Sequence, residues 1–113
     1  MTARLVSLDG EEDIPLDRVV VLVGRSARCD ARISSNRISR RHCCLSRHGD
    51  EIEVRDLGSS NGTWINGRLA ESGRLRAGDE LWIGHCRYRL ATGPVEPRTL
   101  AFSDSQATGA RPS

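Results

Sequence analysis

The 113-residue sequence contains no lysine: all 17 of its basic residues are arginine. Every cationic contact it makes with a side chain other than histidine therefore has the planar, forked geometry of a guanidinium. Aromatic residues are few, at 4%. No run of about 18 apolar residues occurs, which excludes a hydrophobic helical membrane span from the sequence given. The four cysteines, at 29, 43, 44 and 86, form neither a C-x-x-C nor a C-x-x-C-H pattern, so no zinc site, haem attachment or other cofactor is expected. Cys43 and Cys44 are neighbours in a strand-like run and must point to opposite faces, which suits free thiols in a reducing compartment. Met1 to Arg4 lead straight into a strand-like segment, so no signal peptide is expected, and the expected location is cytoplasmic or the intracellular part of a larger protein.

Helical periodicity is also absent. Short apolar runs alternate with turn residues about every eight to twelve positions, which argues for an all-β sandwich. Leu5–Leu8, Ile14–Leu16, Val19–Val23, Cys29–Ile33, His42–Arg47 and Glu51–Arg55 read as strands in the first half. The unbroken β-branched run Val19-Val20-Val21-Leu22-Val23 predicts a strand buried on both faces. Thr63–Ile65 and Arg68–Ala70 flank Asn66-Gly67, the strongest hairpin signal in the chain. Leu75, Leu81, Ile83, Cys86, Tyr88 and Leu90 carry the alternation onward. From Gly93 the composition shifts to Pro, Ser, Thr, Ala and Gly. The expected organisation is one domain over residues 1–92 and a coreless tail or linker over 93–113.

The net charge of +2 hides a strong asymmetry: residues 24–48 hold seven arginines against one aspartate, between acidic flanks. A basic middle implies an anionic partner there. Within it and just beyond lie Gly24-Arg25, Ser39-Arg40-Arg41-His42 and Ser59-Ser60-Asn61-Gly62-Thr63, each between strand-like runs. Guanidinium, hydroxyl and amide donors at neighbouring turns are suited to holding a phosphate without hydrolysing it.

These residues resemble a forkhead-associated (FHA) domain. The match comprises Gly24-Arg25, Ser39-x-x-His42, Asn61-Gly62-Thr63, Asn66-Gly67, Gly78-Asp79-Glu80-Leu81 and Ile83-Gly84, in order, from about Ala3 to Thr92. The resemblance implies an eleven-stranded, two-sheet β-sandwich with its binding loops at one end, and phosphothreonine-dependent binding of a protein or peptide partner in Ser/Thr kinase signalling. It implies phosphate contacts from Arg25 and Ser39, with Arg40 and Ser60 also within reach, and peptide main-chain contacts from Asn61. Arg37 matches a position that in some members reads the third residue after the phosphothreonine. Gly24, His42, Gly62 and Thr63 match supporting positions, His42 as a buttress that braces the loop without touching ligand. Arg41 is expected to face solvent.

Three other functions fit less well. Ser39 and His42 invite a nucleophile and base, but no G-x-S-x-G elbow, acidic orienter or paired carboxylate accompanies them, so no catalysis is expected. Nucleic-acid binding through Arg25–Arg47 lacks interleaved aromatics. A sandwich that binds or oligomerises through its faces, independently of phosphate, is the remaining alternative.

Overall fold

The computed structural model describes residues 2–93. Apart from Gly93, the proposed tail lies outside the described residues.

Eleven strands are formed: β1 Thr2–Ser7, β2 Ile14–Pro15, β3 Val20–Gly24, β4 Ala31–Arg32, β5 Cys43–His48, β6 Glu51–Asp56, β7 Thr63–Ile65, β8 Arg68–Leu69, β9 Ser72–Leu75, β10 Glu80–Ile83 and β11 Cys86–Gly93. They make a six-stranded sheet, in the order β2-β1-β11-β10-β7-β8, and a five-stranded sheet, β4-β3-β5-β6-β9. Pairing is antiparallel except for β3 with β4. The described residues contain no helix, so none is long and apolar enough to cross a membrane.

Period-two alternation decides which face of each strand is buried. In β6 Ile52 and Val54 point inward; in β10 Leu81 and Ile83 do; in β11 Cys86, Tyr88 and Leu90 do. With Leu5, Val21, Val23, Cys43, Leu45 and Leu75 they fill the space between the sheets. Cys43 is buried and Cys44 only partly so, as opposite faces require, and all four cysteines are free thiols. The chain turns where glycine permits it. Asn66 and Gly67 both have positive φ, 49° and 82°, the backbone that a two-residue hairpin turn of type I′ needs.

One expectation fails. The Val19–Val23 run is not buried on both faces: Val19 and Val20 are 70% and 50% exposed, while Val21 and Val23 sit in the core. A sandwich sheet packs on one side only, and β-branched residues suit either side of a pleated strand. The expected Cys29–Ile33 strand shortens to Ala31–Arg32 because Cys29 is held in a turn by its N–H donating to the Ser26 carbonyl at 3.0 Å.

The strand directions gather one set of loops. The ends of β3, β6 and β10 and the starts of β5, β7 and β11 share one end of the sandwich, since each successive pair is antiparallel and adjacent. The β5–β6 turn at His48–Glu51 lies at the other end, and the β9–β10 turn joins it there through Arg76 Nε donating to Glu51 at 2.7 Å.

Candidate functional site

At the gathered end, the loop after β3, the loop before β5 and the loop between β6 and β7 are tied by main-chain bonds. Arg25 N–H donates to the Ser39 carbonyl at 2.9 Å, Ser26 N–H to the Arg40 carbonyl at 3.2 Å, and His42 N–H to the Val23 carbonyl at 2.8 Å. The ladder thus continues past the formal ends of the strands and lays residues 39–41 beside residues 24–26. Gly24 makes this approach possible. A Cβ at that position would lie 2.1 Å from the Arg40 carbonyl oxygen, far inside any real contact.

His42 joins the third loop to these two. It is fully buried. Its Nδ1 accepts the Ser39 N–H at 3.2 Å, which leaves the proton on Nε2, and Nε2 donates to the Gly62 carbonyl at 2.8 Å. The same carbonyl accepts the Gly84 N–H at 2.9 Å, so the β10–β11 turn is fastened to the assembly as well. Gly62 has φ +85°, and a Cβ there would meet Leu69 Cδ1 at 2.7 Å; both backbone conformation and space call for glycine.

The functional groups sit on this frame. Ser39 Oγ accepts the Ser60 N–H at 3.1 Å, leaving its own proton without an acceptor among the described residues. Asn61 Nδ2 donates to the Arg37 carbonyl at 2.6 Å, which ties the third loop to the second and leaves a second N–H and the amide oxygen. Arg25 spends only its Nε, on the Ile38 carbonyl at 3.1 Å, so its two terminal nitrogens remain available. The structure therefore brings Arg25, Ser39, Ser60, Asn61 and Arg37 together; Arg40, whose side chain is exposed, adjoins them through its carbonyl, bonded to the Ser26 N–H. Arg41 is exposed, as expected.

The guanidiniums of this surface lack counter-charges. Arg25, Arg37, Arg40 and Arg41 have no ion-pair partner among the described residues. Of the arginines elsewhere, Arg87 pairs with Asp9 at 2.9 Å, Arg89 with Glu80 at 3.1 Å, and Arg74 and Arg76 with Glu51 at 3.1 and 2.7 Å, whereas Arg55 and Arg68 have no ion-pair partner among the described residues. Unpaired guanidiniums gathered on one surface favour an anion.

Sequence reasoning missed the organiser of the third loop, Asp56. One carboxylate oxygen accepts the Ser59 hydroxyl at 2.5 Å and the buried Thr63 hydroxyl at 2.7 Å; the other accepts the N–H groups of Gly58 and Ser59 at 2.9 and 3.0 Å. Ser59 Oγ in turn accepts the Gly62 N–H at 3.0 Å. Partial burial would raise the Asp56 carboxyl, but the hydrogen bonds from Ser59, Thr63 and Gly58 outweigh it and hold the carboxyl below its ordinary value of 3.8. An Asp three residues before a Ser at a strand end was the available signal, since such side chains cap their own turns. Gly84, noted only as part of a motif, is the other omission: its φ is +59°, and a Cβ there would crowd Ile38 Cδ1 and the Arg37 carbonyl. Among the described residues no three His, Cys, Asp or Glu side chains gather as a metal-holding group.

A two-sheet β-sandwich with converging donor loops at one end is the architecture of a binding module. The FHA domain family's sequence model matches residues 21–84. The chain is 38% identical over 81 residues to the oxoglutarate dehydrogenase inhibitor of Corynebacterium jeikeium, covering 72% of this chain and 56% of that protein. It is also 38% identical over 79 residues to the glycogen accumulation regulator GarA of Mycolicibacterium smegmatis, covering 70% and 50%. The chain spans about half the length of the curated relatives it matches. A solved FHA domain, from work on phosphothreonine-dependent FHA domain interactions, superposes with a TM-score of 0.76 at 26% identity over 84% of this chain and 100% of that one. The chain belongs to the FHA domain family.

Proposed function

We propose that this domain binds phosphothreonine-bearing segments of protein partners in Ser/Thr kinase signalling, and that it binds them without turning them over. The observation that carries the reading is the meeting of three loops that leave the Arg25 guanidinium, the Ser39 hydroxyl and the Asn61 amide with unused donors on one surface. A phosphothreonine brings a charge of roughly −1.5 to −2 and three acceptor oxygens. Arg25 and Arg40 supply charge-assisted bonds worth about 1.5–3 kcal/mol each, Ser39 and Ser60 add short hydroxyl donors, and Asn61 holds the peptide main chain. Arg37 stands on the same loop to meet an acidic residue further along the peptide. Without the phosphate, the guanidiniums have no counter-charge, and this is the basis of discrimination against unmodified threonine.

His42 supports binding rather than catalysis. Both ring nitrogens are committed to main-chain groups, so neither is left to take a proton from Ser39 Oγ.

The test is an oriented phosphothreonine-peptide library read against the wild type and Arg25→Ala. Selective retention by the wild type and loss in the variant is the expected result. Equal retention of phosphorylated and dephosphorylated partners would instead establish the phosphate-independent alternative.

A further inference from the structure

A cleft of about 980 Å³ opens on a different part of the surface, between the two short edge strands β2 and β4. Its rim is acidic. Five carboxylates line it against the two guanidiniums of Arg18 and Arg32. Asp13 and Asp30 are engaged, by Arg4 at 3.6 Å and by Arg18 at 3.1 Å. Glu11, Glu12 and Asp17 have no side-chain partner among the described residues. The carboxylates are spread round the rim and do not converge as a metal-holding group, which favours an organic cation over a metal ion.

An independent observation concerns Tyr88. Tyr88 lines the cleft, is only 2% exposed, and its hydroxyl has no hydrogen-bond partner among the described residues. Buried polar groups are almost always satisfied, so an orphaned phenol facing a cleft marks a missing partner. Burial, then the neighbouring Cys86 and the Glu11 carboxylate, push the phenol well above its ordinary value of 10.0, so it stays a neutral donor and acceptor. A phenol can take one hydrogen bond and give another. A guanidinium or ammonium group can only donate, whereas a peptide bearing one also brings carbonyl acceptors. The flanking strands β2 and β4 are each paired on one side only, so their outer edges hold main-chain groups for such a segment.

We propose that this cleft is a second binding site, which takes an arginine-bearing segment of a protein partner. The guanidinium donates to the Tyr88 hydroxyl and to the free carboxylates of Glu11 and Asp17, and the aliphatic stem lies against Ile14 and Ile33. The Tyr88 hydroxyl donates a hydrogen bond to a carbonyl of the same segment. The site is independent of the phosphothreonine reading. It borders the candidate phosphate site through residues 29–35, which lead directly into the Arg37–Arg41 loop. A partner with a basic stretch at a suitable distance from its phosphothreonine can occupy both.

The test needs no phosphate. The full chain, labelled with nitrogen-15, is titrated at low salt with acetylated and amidated Gly-Gly-Arg-Gly-Gly, with the same peptide carrying citrulline, and with spermidine. The arginine peptide is expected to shift amide signals at Glu11–Ile14, Ala31–Ile33 and Cys86–Tyr88, and citrulline to shift them weakly. Tyr88→Phe, which removes only the orphaned hydroxyl, is expected to weaken the arginine peptide about tenfold while leaving the thermal midpoint unchanged or raised. Glu11→Gln with Asp17→Asn is expected to weaken it further and to flatten its salt dependence. Shifts confined to other residues, equal binding of the citrulline peptide, or unchanged affinity in Tyr88→Phe would each overturn the proposal. Spermidine shifting the same signals with equal affinity would overturn the assignment to a protein segment.

Discussion

Ser39 and His42 divide the labour of the site between them. Ser39 keeps its hydroxyl proton free while its oxygen is held by the Ser60 N–H, so it can donate at little entropic cost. His42 never reaches the surface; it sets the spacing of the loops from within the core. His42→Ala is expected to strand the part-buried Ser39 N–H and leave a void in the core, lowering unfolding free energy by about 2–4 kcal/mol. Chemical denaturation measures this, and a change below about 0.5 kcal/mol, the size usual for surface substitutions, would contradict the buttress. These residues were legible through the resemblance their order and spacing carry to the FHA family; singly, a serine or an asparagine at a turn can as well serve its own backbone. Asp56 was not legible. Its importance lies in four hydrogen bonds from residues 58, 59 and 63, which exist only once the loop has folded round it.

Among the elements, the continuation of the β3–β5 ladder beyond the strand ends matters most. Because Arg25 and Ser26 bond to Ser39 and Arg40, the basic loop is as well placed as a strand would be. Gly24→Ala puts a methyl group onto the Arg40 carbonyl and is expected to push the loop outward. The cost is about 1–3 kcal/mol in stability, as for overpacking. We expect phosphopeptide affinity to fall at least tenfold while the far-ultraviolet β signature persists; unchanged affinity would show that loop position is not critical. Element boundaries were readable where turn chemistry is strict, as at Asn66-Gly67, whose positive φ values few other residue pairs adopt. They were misread at Val19–Val20, because a β-branched run is equally at home on a solvated face. Cys29–Ile33 was overextended because a single turn bond at Cys29, invisible in composition, makes the strand start late.

For the molecule as a whole, net charge says little and its arrangement says much. Carboxylates at both ends of the sandwich are held below their ordinary values: Asp9 by hydrogen bonds from Arg87, and Glu51 by those from Arg76 and Arg74. Asp56 joins them. A lowered carboxyl contributes stability that is complete above its ordinary value and fades as pH falls through the folded one. The thermal midpoint is therefore expected to drop as pH falls below the ordinary 3.8 of Asp and 4.5 of Glu. At the alkaline side the buried Cys43 thiol is pushed up by burial from its ordinary 9.0, so its contribution is complete below that value and fades above it. Calorimetric scans across pH read both limbs, and a midpoint that rises on acidification would contradict the assignment for the carboxylates. The opposition of a basic end to an acidic cleft was half visible: the arginine-rich middle stood out in the sequence, whereas the cleft needs residues 11–17, 29–35 and 85–88 to meet in space.

Isothermal titration of one peptide in two forms, threonine and phosphothreonine, against the wild type and Arg25→Ala is the most direct measurement. The account predicts binding of the phosphorylated form alone. It also predicts a loss of about 10- to 150-fold in Arg25→Ala, the equivalent of about 1.5–3 kcal/mol, with the thermal midpoint nearly unchanged. Comparable affinity for both forms, or an Arg25→Ala variant that binds the phosphopeptide as tightly as the wild type, would contradict it.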